Sequence, residues 1–140
     1  MIEFFHEGDF RLSLSDNYSH WITRVIESEK AIPGNISYIF CEDEYLLKIN
    51  QKHLKHNSFT DIITFDYSDG QVISGDVFIS TERVKENAGI FNRTFQEELL
   101  RVMVHGILHL LGYNDKTNEE AMIMRSKEDE KIKLFHVEQN

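Results

Sequence analysis

The sequence predicts a single α+β domain. Three observations lead to it. Several short runs are apolar on alternate residues or rich in β-branched and aromatic side chains, the mark of strands. Two of these runs, Ile62–Tyr67 and Val72–Ser80, are joined by Asp69-Gly70, a hairpin signal. Helical stripes lie between and after the strands without the regular alternation of a βαβ series. With 140 residues, one proline, no low-complexity linker and no internal repeat, one domain spanning 1–140 is expected.

The elements follow in order. Residues 2–6 and 10–14 read as two strands around Glu7-Gly8-Asp9, with Phe10, Leu12 and Leu14 alternating in the second. Residues 16–30 read as a helix with Tyr18, Trp21, Ile22, Val25 and Ile26 on one stripe, ended by Pro33-Gly34. Ile36–Cys41 is a buried strand, and Asp43 caps a helix running to about Leu54. After the hairpin, residues 81–90 form a short helix. Thr94 and Glu97 make a capping box, and Glu97 and Glu98 suit the positive end of a helix dipole. The run from Phe95 to Leu111 is apolar on most of its turns, so this helix is central and buried, and Gly112 stops it. Thr117 and Glu120 repeat the capping box and open a last helix of about 118–135.

Composition narrows the function. The one cysteine, Cys41, rules out an internal disulfide and a zinc site built on several thiolates of this chain, and points to a reducing, cytoplasmic compartment with no disulfide-linked partner. No apolar run approaches the roughly 18 residues of a membrane helix, so no membrane partner is expected. The opening MIEFFHEGDF has acids where a secretion signal carries lysine or arginine. Fifteen basic against 24 acidic residues leave a formal charge of −9, a field that repels nucleic acid, so an RNA partner requires a local basic patch or a bound cation.

The chemistry concentrates in one segment. His105 and His109 stand at i and i+4, on one face of a helix and about 5–6 Å apart at Cβ, a span that suits two ligands of one metal. In so apolar a helix both imidazoles need partners; carbonyl-bonded histidines are the alternative reading. Gly112 then lets the chain fold back, which brings Asp115 within range as a third ligand or leaves it to begin a turn before Thr117. Three protein ligands on zinc leave a position open for water. Gly106 follows the first histidine where the HExxH metalloproteases carry their glutamate base, which disfavours a thermolysin-like peptidase.

The segment His105-Gly-Ile-Leu-His-Leu-Leu-Gly-Tyr-Asn-Asp115 resembles the HGxLHLxGYDH signature of the YbeY family of bacterial endoribonucleases. Ile49-Asn50 with Thr60-Asp61-Ile-Ile-Thr-Phe65 resembles that family's LN…PTDVLSF, Gly75-Asp76-Val-Phe-Ile-Ser80 its GDIxIS, and Glu98-Leu99 also fits. The resemblance implies a small mixed sheet packed against helices, distantly zincin-like in its metal-site helix. It implies one zinc held by three side chains, single-strand-specific RNA cleavage, and a role with rRNA and the small ribosomal subunit in 16S rRNA 3′-end maturation and ribosome quality control. His105 and His109 fall on the first two ligand positions.

The chain departs from the pattern in three places. Asp115 stands where the family has its third histidine; a carboxylate is an accepted zinc ligand, makes bound water less acidic and admits other divalent ions such as manganese or iron. Leu54 stands where relatives often carry an arginine, leaving Lys55 beside it to supply charge, and Phe59 replaces a proline. Lys52 and Lys55, with Lys48, His53 and His56, form a candidate RNA-binding cluster; a solvated helix face is the plain alternative. Asp76 is a candidate acceptor for a ligand imidazole or a turn residue. No residue stands out as general base, and the aromatic side chains, mostly at core spacing, do not read as a base-stacking platform. A ribosome-assembly module with a structural metal and little nuclease activity is the competing function. A non-haem iron oxygenase shares the two-histidine, one-carboxylate set but usually places it on a β-barrel.

Overall fold

The computed structural model describes residues 1–53 and 60–139. The element order is β1 (Ile2–Glu7), α1 (Ser15–Ser28), β2 (Ile32–Cys41), α2 (Asp43–His53), β3 (Ile62–Asp66), β4 (Val72–Ser80), α3 (Thr81–Ile90), α4 (Phe95–Leu110) and α5 (Asn118–Gln139). The four strands form one sheet in the order β1-β2-β4-β3. β1 with β2 and β2 with β4 run parallel, and β3 with β4 antiparallel. This is the mixed-sheet α+β domain that the sequence predicts. The hairpin turns where expected, with Asp69 bridging Val72 and Gly70 at φ 60.

Strand alternation divides the sheet between two helical layers. Ile36, Tyr38 and Phe40 of β2 and Ile73, Val77 and Ile79 of β4 pack into the main core with α1, α4 and α5. Cys41, Leu46 and Ile63 form a smaller core beneath α2 on the other face. Burial pushes the Cys41 thiol up to about 12, so it behaves as a packing residue rather than a nucleophile. α4 is buried along most of its length. It packs tightly on the sheet at Gly106, where an added Cβ would lie 2.9 Å from Val77 Cγ1 and 3.0 Å from Ile62 Cδ1. The glycine after His105 is therefore a packing requirement: its position faces the sheet and has no room for a larger side chain.

The structure corrects three local readings. Residues 10–14 are not a strand. They are a loop laid over the core, in which the Phe10 ring meets Phe40 at 5.2 Å and Phe95 at 5.6 Å, while Leu12 N–H donates to His6 Nε2 at 3.2 Å. The apolar alternation arises from that docking; Leu14, the last apolar residue of the run, is 73% exposed in a left-handed conformation. α1 ends at Ser28, two residues before the left-handed Lys30, and not at Pro33-Gly34. That dipeptide lies inside β2, at a register irregularity between Pro33 and Ile36, where a missing N–H is tolerated. Asp43 does not cap α2: its carboxylate accepts from Ser80 Oγ at 2.5 Å and Arg83 Nε at 3.1 Å, tying α2 to the start of α3.

α5 carries a buried stripe that includes charged side chains, Met124, Glu128, Lys131 and Phe135. Lys131 Nζ meets Glu29 Oε2 at 2.7 Å and Ser28 Oγ at 2.8 Å, and its backbone carbonyl accepts from Trp21 Nε1 at 2.8 Å. Buried charge is tolerable here because every head group has a partner. Among the described residues, no helix is long and apolar enough to cross a membrane.

Candidate metal centre

The last two turns of α4 and the loop after it build the site. The capping box at the start of the helix is present as read from the sequence: Glu97 N–H donates to Thr94 Oγ1 at 3.1 Å and Thr94 N–H to Glu97 Oε1 at 2.8 Å. At the other end Tyr113 N–H reaches back to Leu108 O at 2.9 Å, and Gly112 takes φ 102, a value that strains any side chain with a Cβ. This turn reverses the chain and returns Asp115 to the helix.

His105, His109 and Asp115 converge. The Nε2 atoms of the two imidazoles lie 2.9 Å apart, and Asp115 Oδ2 is 3.2 Å from His105 Nε2 and 3.5 Å from His109 Nε2. The outward nitrogens are both engaged, His105 Nδ1 with Glu128 Oε2 at 2.7 Å and His109 Nδ1 with the Tyr113 carbonyl at 3.0 Å. Both acceptors require Nδ1 to carry the proton, which leaves two Nε2 lone pairs and a carboxylate oxygen facing one another. Three acceptors at these distances need a cation or a shared proton between them. Donors at 2.0–2.1 Å around a tetrahedral ion stand about 3.3 Å apart, and the observed separations bracket that value. The cluster could hold a metal ion, and the geometry does not distinguish zinc from another divalent ion.

The supports of these side chains reach into three helices. Glu128 also accepts from Arg101 Nη1 at 2.8 Å, and Arg101 Nη2 donates to Asp129 at 2.7 Å. Burial alone would raise the Glu128 pKa, but the hydrogen bonds from His105 and Arg101 outweigh it and hold the carboxyl below its usual range. For His105 burial opposes the charge, yet Glu128, then Asp115 and Asp61, raise the imidazole above its ordinary value. Tyr113, whose carbonyl orients His109, is anchored through its hydroxyl to Glu29 at 2.5 Å. Asp61, largely buried, is raised by desolvation, partly offset by His105.

Other sequence candidates fall elsewhere. Asp76 accepts from the Tyr67 hydroxyl at 3.3 Å, and the carboxylate that meets the His105 imidazole is Glu128. Ser80 caps α3, accepting from Arg83 N–H at 3.2 Å. Lys48, Lys52 and His53 lie exposed on α2, with the His53 ring against Phe65. Lys55, with Leu54, His56 and Phe59, lies outside the described residues. The cationic side chains that line a cleft with His105 are arginines that the sequence reading did not select: Arg93, Arg101 and Arg125. Glu128 was equally hidden, since it sits in a charge-rich helix that reads as solvated. Its spacing of four from Met124 and seven from Phe135 was the available signal.

A family model described as Endoribonuclease YbeY matches residues 5–136. This chain belongs to the YbeY family. It is 55% identical over 140 residues to Endoribonuclease YbeY of Flavobacterium psychrophilum, covering all of both chains. It is 56% identical over 138 residues to that of Christiangramia forsetii, covering 99% of this chain and 96% of the relative. Among solved structures it resembles the solution structure of TM1509 from Thermotoga maritima, with a TM-score of 0.71, 26% identity and coverage of 99% and 91% of the two chains. YbeY membership thus agrees with the fold and with the sequence signature around the converging triad.

Proposed function

We propose that the protein is a metal-dependent endoribonuclease that cuts single-stranded RNA, with rRNA of the small ribosomal subunit as substrate, in 16S 3′-end maturation and ribosome quality control. Family membership supports RNA as the substrate class. The convergence of His105, His109 and Asp115 within 2.9–3.5 Å supports metal dependence. We assign these three as the ligands, with zinc as the first candidate and another divalent ion admitted by the carboxylate. When bound, such an ion supplies a Lewis acid for a phosphate oxygen and lowers the pKa of water. The chain's own part is to hold the donors in place. Glu128 and the Tyr113 carbonyl keep both imidazoles in the tautomer that aims Nε2 inward. Arg101 neutralises Glu128, and the arginines of the adjoining cleft favour the negative charge that grows on a phosphodiester as it is cleaved. The reading places the protein in the cytoplasm, where rRNA is processed.

A ribosome-assembly module with a structural metal is the competitor. Among the described residues three donors converge, rather than the four of a closed structural site, which favours catalysis, and Asp115 is 39% exposed at its side chain, so the site opens to solvent. Purified protein without a histidine tag, incubated with single-stranded RNA, tests the choice. Wild type should cut and His109→Ala should not. Cutting that persists in the variant identifies a contaminating nuclease, and a stoichiometric metal with no cutting by wild type establishes the structural role. Elemental analysis should show one metal ion per wild-type chain and a loss in Asp115→Ala; unchanged stoichiometry removes Asp115 from the ligand set.

A further inference from the structure

Resting on that reading, we infer that the cleft beside His105 is a nucleotide subsite in which Phe91 stacks an unpaired RNA base and Arg125 meets the adjoining phosphate. The cleft holds about 300 Å³, and His105, Asp61, Phe91, Arg93, Arg101 and Arg125 line it. It therefore adjoins the candidate metal centre through His105, which lines both.

Phe91 is held out by the turn between α3 and α4. Phe91 N–H bonds Asn87 O at 2.9 Å and Arg93 N–H bonds Ala88 O at 2.8 Å, while Asn92 takes φ 56. The ring stays 56% exposed, a large apolar surface open to solvent. The Arg93 guanidinium lies 5.3 Å from the ring centroid, and Arg93 Nη1 is fixed by Glu98 at 2.8 Å. A ring braced in this way by a cation is a platform that any base can stack on, whatever its sequence.

Charge supplies the second half. Arg93 and Arg101 are each held by carboxylates at 2.7–2.8 Å. Arg125 is different: its side chain is 61% exposed and its contact with Glu128 is 3.7 Å, so its guanidinium has donors to offer an anion. An exposed ring and an available guanidinium in one cleft match a base and its phosphate. The arrangement also accounts for a preference for single strands. A base inside a duplex has both faces stacked and must be unstacked, at a cost of a few kcal/mol, before it can reach the ring.

The test uses Phe91→Ala, Phe91→Trp and Arg125→Ala in the full chain. Binding of a short fluorescent uridine oligomer is measured in EDTA, which stops turnover, with recovery of intact oligomer as a check. Phe91→Ala should weaken binding about tenfold, and Phe91→Trp should restore it. The native Trp21 is fully buried, so quenching on oligomer addition reports on the introduced indole. An oligomer of abasic sugar phosphates should bind wild type and Phe91→Ala alike. Arg125→Ala should lower the slope of log affinity against log salt by about one contact's share. Wild-type affinity in Phe91→Ala, or an unquenched indole at saturating oligomer, overturns the subsite. Cleavage by wild type against His109→Ala is scored separately, so the subsite and the metal-dependent nuclease can fail independently.

Discussion

His105 Nδ1 lies 2.7 Å from Glu128 Oε2, a contact between α4 and α5 across 23 positions of sequence. The same carboxylate accepts from Arg101, one turn before His105 on α4. The His105 imidazole, a ligand in the proposed metal site, is thus oriented by an acid that is itself held by a cation. Partners of this kind set the basicity and aim of a ligand, and their loss typically costs 10–100-fold in metal affinity. Glu128→Gln, which keeps the shape and removes the charge, should weaken metal binding by about tenfold, as measured by competition with a chromophoric chelator. Equal affinity would show that Glu128 serves only to hold α5 on α4.

In the proposed metal site Asp115 is the one anionic donor. Asp115→His replaces it with a neutral donor, so water at the site becomes more acidic. The variant should retain one metal ion per chain, and the rising limb of its pH–rate profile for RNA cleavage should move to lower pH. A limb that stays in place would mean that the titrating group is not controlled by the third ligand.

Gly106 sits between two effects of opposite sign. Alanine would improve the intrinsic helix propensity by about 1 kcal/mol. Its methyl group would press on Val77 and Ile62 at 2.9–3.0 Å, both in the packed interface of α4 with the sheet. Overpacking of this kind costs about 1–3 kcal/mol, so Gly106→Ala should be net destabilising in urea titration. A variant as stable as wild type would show that α4 can withdraw from the sheet.

Glu29 binds stability to pH. Burial alone would raise its pKa, but hydrogen bonds from Lys131, Tyr113 and Lys127 bring the carboxyl down to about 2. Its unfolded value is near 4.5. Because the folded pKa is depressed, the unfolded chain takes up the proton first on acidification. The stabilisation is therefore complete above about pH 4.5 and lost as pH falls toward 2, with an order of magnitude of about 3 kcal/mol. Glu29→Gln should be less stable at pH 7 and should show a flatter loss of stability between pH 5 and 2 in denaturant titrations. Parallel curves for the two proteins would assign acid unfolding to other carboxylates.

Much of this molecule is local enough to read from its sequence. The i, i+4 spacing of His105 and His109, the Thr94–Glu97 capping box and the Gly112 stop all depend on one helix and its ends, and a helix repeats its geometry wherever it forms. The Asp69-Gly70 hairpin and the α+β class follow from short-range pattern in the same way. Asp115 was within reach only as one of two readings, since the spacing permits the return but does not require it. Residues 10–14 misled because apolar alternation records burial on one side, and a loop draped over Phe40 and Phe95 produces it as readily as a strand.

What the sequence by itself determined was the class of fold, the helix that carries His105 and His109, and so two of the three converging side chains, because each is set by interactions within a few turns of chain. The tertiary structure alone decided that Asp115 joins the histidines, that Glu128 aims His105, that Glu29 anchors Tyr113 from 84 positions away, and that Phe91 stands in the same cleft as His105. These relations depend on how α1, α3 and α5 pack around α4, and long-range packing leaves no periodic trace in the residues that it brings together.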